Sequence, residues 1–408
     1  MKERRELTIG DLYSVHNGLS KEKKYFGSGY PFIAFKDVFN YFFLPEKVDG
    51  RVKSDEREQE SYSVKRGDVL ITRTSETYDE LGMSSVALVD YPHATYNGFC
   101  KRLRPLGDDV LPEFIGYYLR APFFRNGFQQ FSSMTTRASL KNENLLQMPV
   151  FLPSFEEQVK IAGILRAYDK LIENNRKQIG LLEEAAQRLY KEWFVDLRFP
   201  GHETASIDPA TNLPEGWRVL SAADVFPITI GKTPSRKDSS AFSNEGIPWV
   251  SVSDMGKEGS IILSTSECLT QEGINSYKVK TVPEGSVLLS FKLTVGRVSI
   301  AGCTMASNEA IAHFVTDNNA LRNYCFLYLK DFDFSKLGST SSIGTAINSK
   351  IVKALPFVLP DETTLKSFDD VASSIIELII SNKRQIALLQ EARDRMLPKL
   401  MSGEIEVD

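Results

Sequence analysis

Apolar side chains fall into two long heptad runs separated by stretches of shorter pattern. In the first run Ile161, Leu165, Tyr168, Ile172, Asn175, Ile179, Leu182, Ala186, Leu189 and Trp193 follow one another at alternating spacings of four and three. That is the seam of a coiled-coil helix. Adding 207 to each number gives a second seam: Phe368, Ala372, Ile375, Ile379, Asn382, Ile386, Leu389, Arg393, Met396 and Leu400. Ser154 and Glu157 stand where a capping box would open the first helix. Asn175 and Asn382 occupy equivalent seam positions, where a buried amide lowers stability but restricts register; the alternative is that both amides face solvent at the seam edge. An antiparallel pair is the economical topology, giving a two-headed dumbbell on a rod of about 60 Å, at ~1.5 Å per helical residue. Such a rod is a ruler between two heads.

The rest of the chain is also written twice. Pro149-Val150-Phe151-Leu152-Pro153 returns as Pro356-Phe357-Val358-Leu359-Pro360, and Gly67-Asp68-Val69-Leu70 as Gly285-Ser286-Val287-Leu288. The second pair lies at an offset of 218 rather than 207, as expected of one fold carrying different loops. Short β-branched and aromatic runs (68–72, 84–89, 247–252, 286–291, 298–300) predict strands, and 112–119 and 320–329 predict a helix in each block. The fold class is therefore α+β, with two pseudo-repeated globular domains of mixed α/β structure joined by two long antiparallel coiled-coil helices. The boundaries read as a first globular domain 1–152, first spacer helix 153–196, linker 197–213, second globular domain 214–360, and second spacer helix with tail 361–408. The stretch Leu197 to Trp217, rich in proline and without hydrophobic periodicity, has the composition of a connection.

At 408 residues, 42% of them hydrophobic, the chain has room for two or three domains with real cores. Forty-nine basic and 53 acidic residues leave a formal charge of -4, so composition alone does not announce nucleic acid. The surplus of acid is local, with six basic and ten acidic groups in residues 361–408. Near-neutral heads can still present a basic face to phosphates. The four cysteines form no CxxC pair, which points to reduced thiols and a cytoplasmic location rather than zinc or a disulfide framework. The N-terminal MKERRELTIG does not read as a signal peptide, and the longest apolar stretch is broken by Glu377, so no membrane association is expected.

Familiar catalytic signatures are missing. Gly231-Lys232-Thr233 resembles the end of a phosphate-binding loop, but Phe226 stands where its first glycine belongs. His16, His93, His202 and His313 show no metal-ligand spacing, and neither a nucleophile elbow nor a dinucleotide fingerprint occurs. No cofactor and no metal are expected on this chain. Twin heads point to binding, since a two-fold design spans two half-sites.

From Leu152-Pro153-Ser154-Phe155-Glu156-Glu157-Gln158 through Leu189-Tyr190-Lys191-Glu192-Trp193-Phe194 to Phe199-Pro200-Gly201, and again from Leu359 to Leu400, the sequence closely resembles the spacer regions of type I restriction-modification specificity subunits. Gly231-Lys232-Thr233-Pro234-Ser235 looks like the Gly-x-Thr-Pro loop of that family's target recognition domains, and its counterpart Asn17-Gly18-Leu19-Ser20 departs by lacking Thr-Pro. The resemblance implies a non-catalytic DNA specificity subunit. Each head would read one half of a bipartite, asymmetric site in double-stranded DNA. The helices would set the spacer and dock two methyltransferase (modification) subunits, with motor-nuclease (restriction) subunits as further partners. Other subunits would bring S-adenosylmethionine, ATP and magnesium.

The candidate DNA-facing residues are Arg73, Thr74, Lys101, Arg102 and Arg104 in the first head, and Lys232, Thr233, Arg236, Lys237, Lys292 and Arg297 in the second. Arginine suits bidentate guanine contacts and lysine the phosphates; solvated surface charge is the plain alternative for any one of them. The polar runs 132–137 and 339–345 read as linkers or as loops that order on DNA. Two other function classes stay open: a non-DNA coiled-coil scaffold joining two protein-binding modules, and an enzyme using Asp68 or Asp79 with a metal.

Overall fold

A computed structural model describes residues 4–75, 81–131, 133–134, 138–337, 340–341, 344–345 and 347–407. Asp79 and part of each polar run lie outside these. The chain divides into two compact units, one made of Met1–Leu171 with Leu389–Asp408 and the other of Ile172–Leu388. The predicted strands and helices form, with ends moved by up to three residues: Val69–Thr72, Ser84–Val86, Pro112–Tyr118, Ile247–Val250, Val287–Ser290, Val298–Ala301 and Asn319–Asp331.

In the first unit, strand Val69–Thr72 lies between Cys100–Pro105 and Ser84–Val86, and Tyr13–Asn17 flanks Cys100–Pro105, all antiparallel. In the second, Val287–Ser290 lies between Ile311–Phe314 and Val298–Ala301, with Ile228–Ile230 outside Ile311–Phe314. The order is the same, and the second sheet adds Ile261–Ile262 in parallel. The repeated proline-bounded pentapeptides have one task in both units. Pro149–Leu152 pairs with Arg5–Thr8, and Pro356–Leu359 with Arg218–Ser221, so the last strand of each domain closes on its first.

The two long helices span Phe155–Tyr190 and Glu362–Ser402. In the second unit, Phe368 meets Trp193 and Phe194, with ring centroids 5.6 and 4.8 Å apart, while Asn382 donates to Gln178 and Asn175 to Gln385. Numbers rise along one helix as they fall along the other, so the pair is antiparallel. Both asparagines are buried, and their reciprocal bonds are 3.2 and 3.1 Å long. Each amide thus finds an amide carbonyl inside the seam, the condition under which a buried polar group is tolerated.

Packing revises one expectation and adds detail to another. Ser154 accepts from the Glu157 N–H at 3.3 Å, but the Glu157 carboxylate turns to Arg4 at 3.2 Å, so the ion pair takes the place of a closed box. The proline-rich connection is no loose tether. Phe199 and Trp217 are buried with ring centroids 5.5 Å apart, Ile207–Asp208 pairs with Leu213–Pro214, and Trp217 Nε1 donates to Asp361 at 3.1 Å. Its aromatics fold onto the core of the second unit, where their burial outweighs the turn-forming composition.

Candidate nucleic-acid interface

The loop opening with Gly231 is fastened by two backbone bonds, Gly231 N to Ile311 O (3.1 Å) and Lys232 N to Ser307 O (2.8 Å). A Cβ on Gly231 would stand 2.1 Å from the Asn308 carbonyl oxygen, so this position takes only glycine. Its counterpart in the first unit is built alike. Gly18 N donates to Cys100 O (3.0 Å), Leu19 N donates to Tyr96 O (2.9 Å), and a Cβ on Gly18 would meet the Asn97 oxygen at 2.1 Å. Both heads therefore hold the same loop in the same way and put different side chains on it. Replacing Gly231 with alanine is expected to destabilise the second unit by about 1–3 kcal/mol, the usual cost of overpacking, with a lower thermal midpoint and weakened ligand binding; an unchanged melt would contradict the fit described.

Around that loop the second unit gathers charge. Lys232 is exposed, its amine donating to Tyr277 O at 2.6 Å. Thr233 donates to Glu309. Arg236 lies over the rings of Phe242 (4.3 Å) and Trp249 (4.8 Å) while donating to Glu267 at 2.7 Å, and Lys237 is exposed. Lys292 is exposed in the hairpin loop that follows Val287–Ser290. The Thr233 hydrogen bond, aided by the charges of Lys292 and Arg236, holds the Glu309 carboxyl below its ordinary range. Glu309 thus holds the loop through Thr233 beside the hairpin, whose Phe291 N donates to the neighbouring Ala310 O at 2.9 Å. Arg297 belongs elsewhere: it is half-buried, donates to Val252 O, and lies where a Cβ on Gly256 would meet its guanidinium at 2.5 Å. Its guanidinium is engaged in packing on the helix Val252–Glu258.

The candidate basic residues on strand Cys100–Pro105 of the first unit prove mostly internal. Lys101 and Arg102 are 4% and 6% exposed. The Lys101 amine sits between the side-chain oxygens of Asn17 (3.2 Å) and Asn142, and burial followed by the charge of Arg73 lowers its pKa. Arg102 donates to the carbonyls of Ser61 and Ser63. Arg104 makes a two-pronged ion pair with Asp68, at 2.8 and 2.6 Å. The reason lies in topology, for Cys100–Pro105 is an inner strand of its sheet and its first four side chains are buried. As placed here these three have structural partners and do not offer their charges to a phosphate. Asp68 is itself buried against Arg104 and the Lys65 N–H, which leaves it unsuited to hold a metal. Arg73 and Thr74 are half-buried past the end of their strand, and Arg73 Nε has no hydrogen-bond partner among the described residues. By backbone pairing, Arg73 N to Phe99 O and Phe291 N to Ala310 O are equivalent, so Thr74 rather than Arg73 matches Lys292.

Sequence reasoning passed over Glu309 and the aromatic bed under Arg236, because strand crossing rather than spacing brings them together. It also gave His313 no task. His313 is buried with its ring nitrogens 2.9 Å from Thr229 Oγ1 and 2.6 Å from Ser307 Oγ, and Ser307 is the residue whose carbonyl anchors Lys232. Burial, then the nearby Lys280 charge, pull the imidazole from its ordinary 6.5 down to about 4. The unfolded chain takes up this proton below pH ~6.5 and the folded chain resists until about 4. Stability of the second unit should therefore fall as pH drops through that window, by a contribution on the order of 3 kcal/mol. Urea titrations at several pH values should show a flatter acid limb in His313→Asn than in the parent chain.

A sequence profile for the type I restriction modification DNA specificity domain matches residues 1–184 and again residues 214–387. The chain belongs to that family. It is similar to the type I restriction enzyme MjaIX specificity subunit of Methanocaldococcus jannaschii, with 28% identity over 98% of this chain and 92% of that one. It is also similar to the HindI specificity subunit of Haemophilus influenzae, with 26% identity over 99% of this chain and all of that one. The crystal structure of a type I restriction-modification S subunit from M. genitalium shares the fold at a TM-score of 0.52, 13% identity, and coverage of 97% and 95% of the two chains. Membership assigns both heads to this family's specificity domains, and among the described residues no helix is long and apolar enough to cross a membrane.

Proposed function

We propose that this type I specificity chain reads a split, asymmetric sequence in double-stranded DNA, one half per head, without chemistry of its own. The observation that carries this reading is the pair of equivalent glycine-anchored loops, Gly18 and Gly231, held by the same backbone bonds while exposing different side chains. One scaffold used twice with different loop residues suits recognition of two different half-sites. In the second head Lys232, Thr233, Arg236, Lys237 and Lys292 are the contacts favoured; in the first, Arg73 and Thr74.

The helices set the spacer between half-sites, with the Asn175–Gln385 and Asn382–Gln178 pairs fixing their register. Their exposed faces support two equivalent docking sites. Leu181 and Leu388 are 67% and 65% exposed, Leu171 and Leu378 are exposed too, and each pair is related by the same offset of 207. Exposed leucines repeated at matching positions fit two copies of one partner, which we assign to methyltransferase subunits that bring S-adenosylmethionine. Motor-nuclease subunits join through that assembly.

Modified-base sequencing of genomic DNA, from cells carrying this gene with its methyltransferase and from cells lacking it, tests the reading. A split motif methylated on both strands and lost on deletion is expected. Unchanged methylation together with no DNA binding by the assembled complex would favour a protein scaffold instead.

A further inference from the structure

The hairpin between strands Val287–Ser290 and Val298–Ala301 ends in an unusual side chain. Leu293 is 88% exposed and has a left-handed backbone with φ +64°. For a residue with a branched side chain that conformation is costly, and leaving a leucine in water adds to the cost. The surrounding turn is nonetheless firmly made. Ser290 Oγ donates to Thr294 O at 2.6 Å, and the N–H groups of Arg297 and Gly296 return to Ser290 Oγ and O at 3.0 and 2.9 Å. Strained residues held by well-tied surroundings cluster at ligand-binding positions.

The neighbours say which ligand. Lys292 precedes Leu293, and the hairpin adjoins the glycine-anchored loop: Phe291 N donates to Ala310 O at 2.9 Å, next to Glu309, which accepts from Thr233. An apolar tip amid cations suits a nucleic acid, whose phosphates meet the charges while base edges and thymine methyls accept an aliphatic group. Resting on the DNA-recognition reading above, we infer that Leu293 is an apolar base contact of the second head and contributes to its half-site specificity.

Binding of the full chain, assembled with its methyltransferase, is measured on cognate DNA and on DNAs with either half-site scrambled. Leu293→Ala and Leu293→Gly are compared with the parent; glycine tolerates the positive φ, so its effect is not a folding effect. Both variants should bind cognate DNA, and DNA keeping only the second head's half-site, roughly tenfold more weakly, the scale expected for losing one buried leucine contact. Binding to DNA with that half-site scrambled should not change. An equal loss on all DNAs, no loss on any, or loss of methyltransferase assembly would overturn the inference. If the parent complex itself fails to distinguish the three DNAs, it is the underlying recognition reading that fails.

Discussion

Replacing Arg393 with alanine will destabilise the first unit by about 3–5 kcal/mol, the cost of stranding a buried charge. Arg393 Nη1 lies 2.6 Å from Asp169 Oδ1, each side chain is only 12% exposed, and Tyr117 donates to the other Asp169 oxygen. The guanidinium also sits 4.9 Å from the Phe42 ring. Burial works against the Arg393 charge, yet the hydrogen bonds and charges of Asp169 and Asp394 together outweigh it and its pKa is raised. Truncation leaves Asp169 with Tyr117 for company in an apolar setting. Joint replacement, Arg393→Met with Asp169→Leu, should recover most of the loss, because burying hydrophobic groups of similar size avoids desolvating two ions. Urea unfolding followed by a probe in the first unit will decide; equal losses in single and double variants would show that a stranded charge is not the cause. At the equivalent positions, offset by 207, stand Ala186 and Ile376, both apolar and buried. The ion pair therefore has no counterpart in the second unit, and it distinguishes two helices whose seams are otherwise nearly interchangeable.

Lengthening both helices should change the DNA that is methylated. One heptad, inserted after Ile179 and before Ser381, keeps both asparagine–glutamine pairs and continues the seam. At ~1.5 Å per residue it adds about 10 Å, close to three base pairs along DNA. It turns the helix seam by only ~20°, whereas three base pairs turn the duplex by roughly a third of a revolution. Methylation is then expected to be largely lost. Three heptads add about 32 Å, near one DNA turn of ~34–36 Å, and should restore methylation at a motif with the same half-sites and a spacer longer by about ten base pairs. Modified-base sequencing reads both outcomes, and methylation of the original motif by either variant would remove the ruler from the proposal.

The sequence alone settled much of this protein. Heptad periodicity determined the two helices, because a seam that must be dry repeats at the pitch of the helix. The recurrence of the proline-bounded pentapeptides determined that the domain is used twice. Asn175 and Asn382 were legible as matched polar seam residues, though the glutamines that receive them were not, since Gln178 and Gln385 lie outside the regular seam. The partners of basic residues were not legible where periodicity could not tell an inner strand from an edge: Lys101, Arg102 and Arg104 are adjacent in sequence to a plausible interface but lie on a strand with neighbours on both sides. Tertiary structure alone made Glu309 the junction of a loop and a hairpin some sixty to seventy residues apart in the chain, put His313 beneath the loop's anchor, and left Leu293 outside every core. Local pattern reports what a segment must bury against something; what that something is depends on strand order and loop closure, which only the folded chain decides.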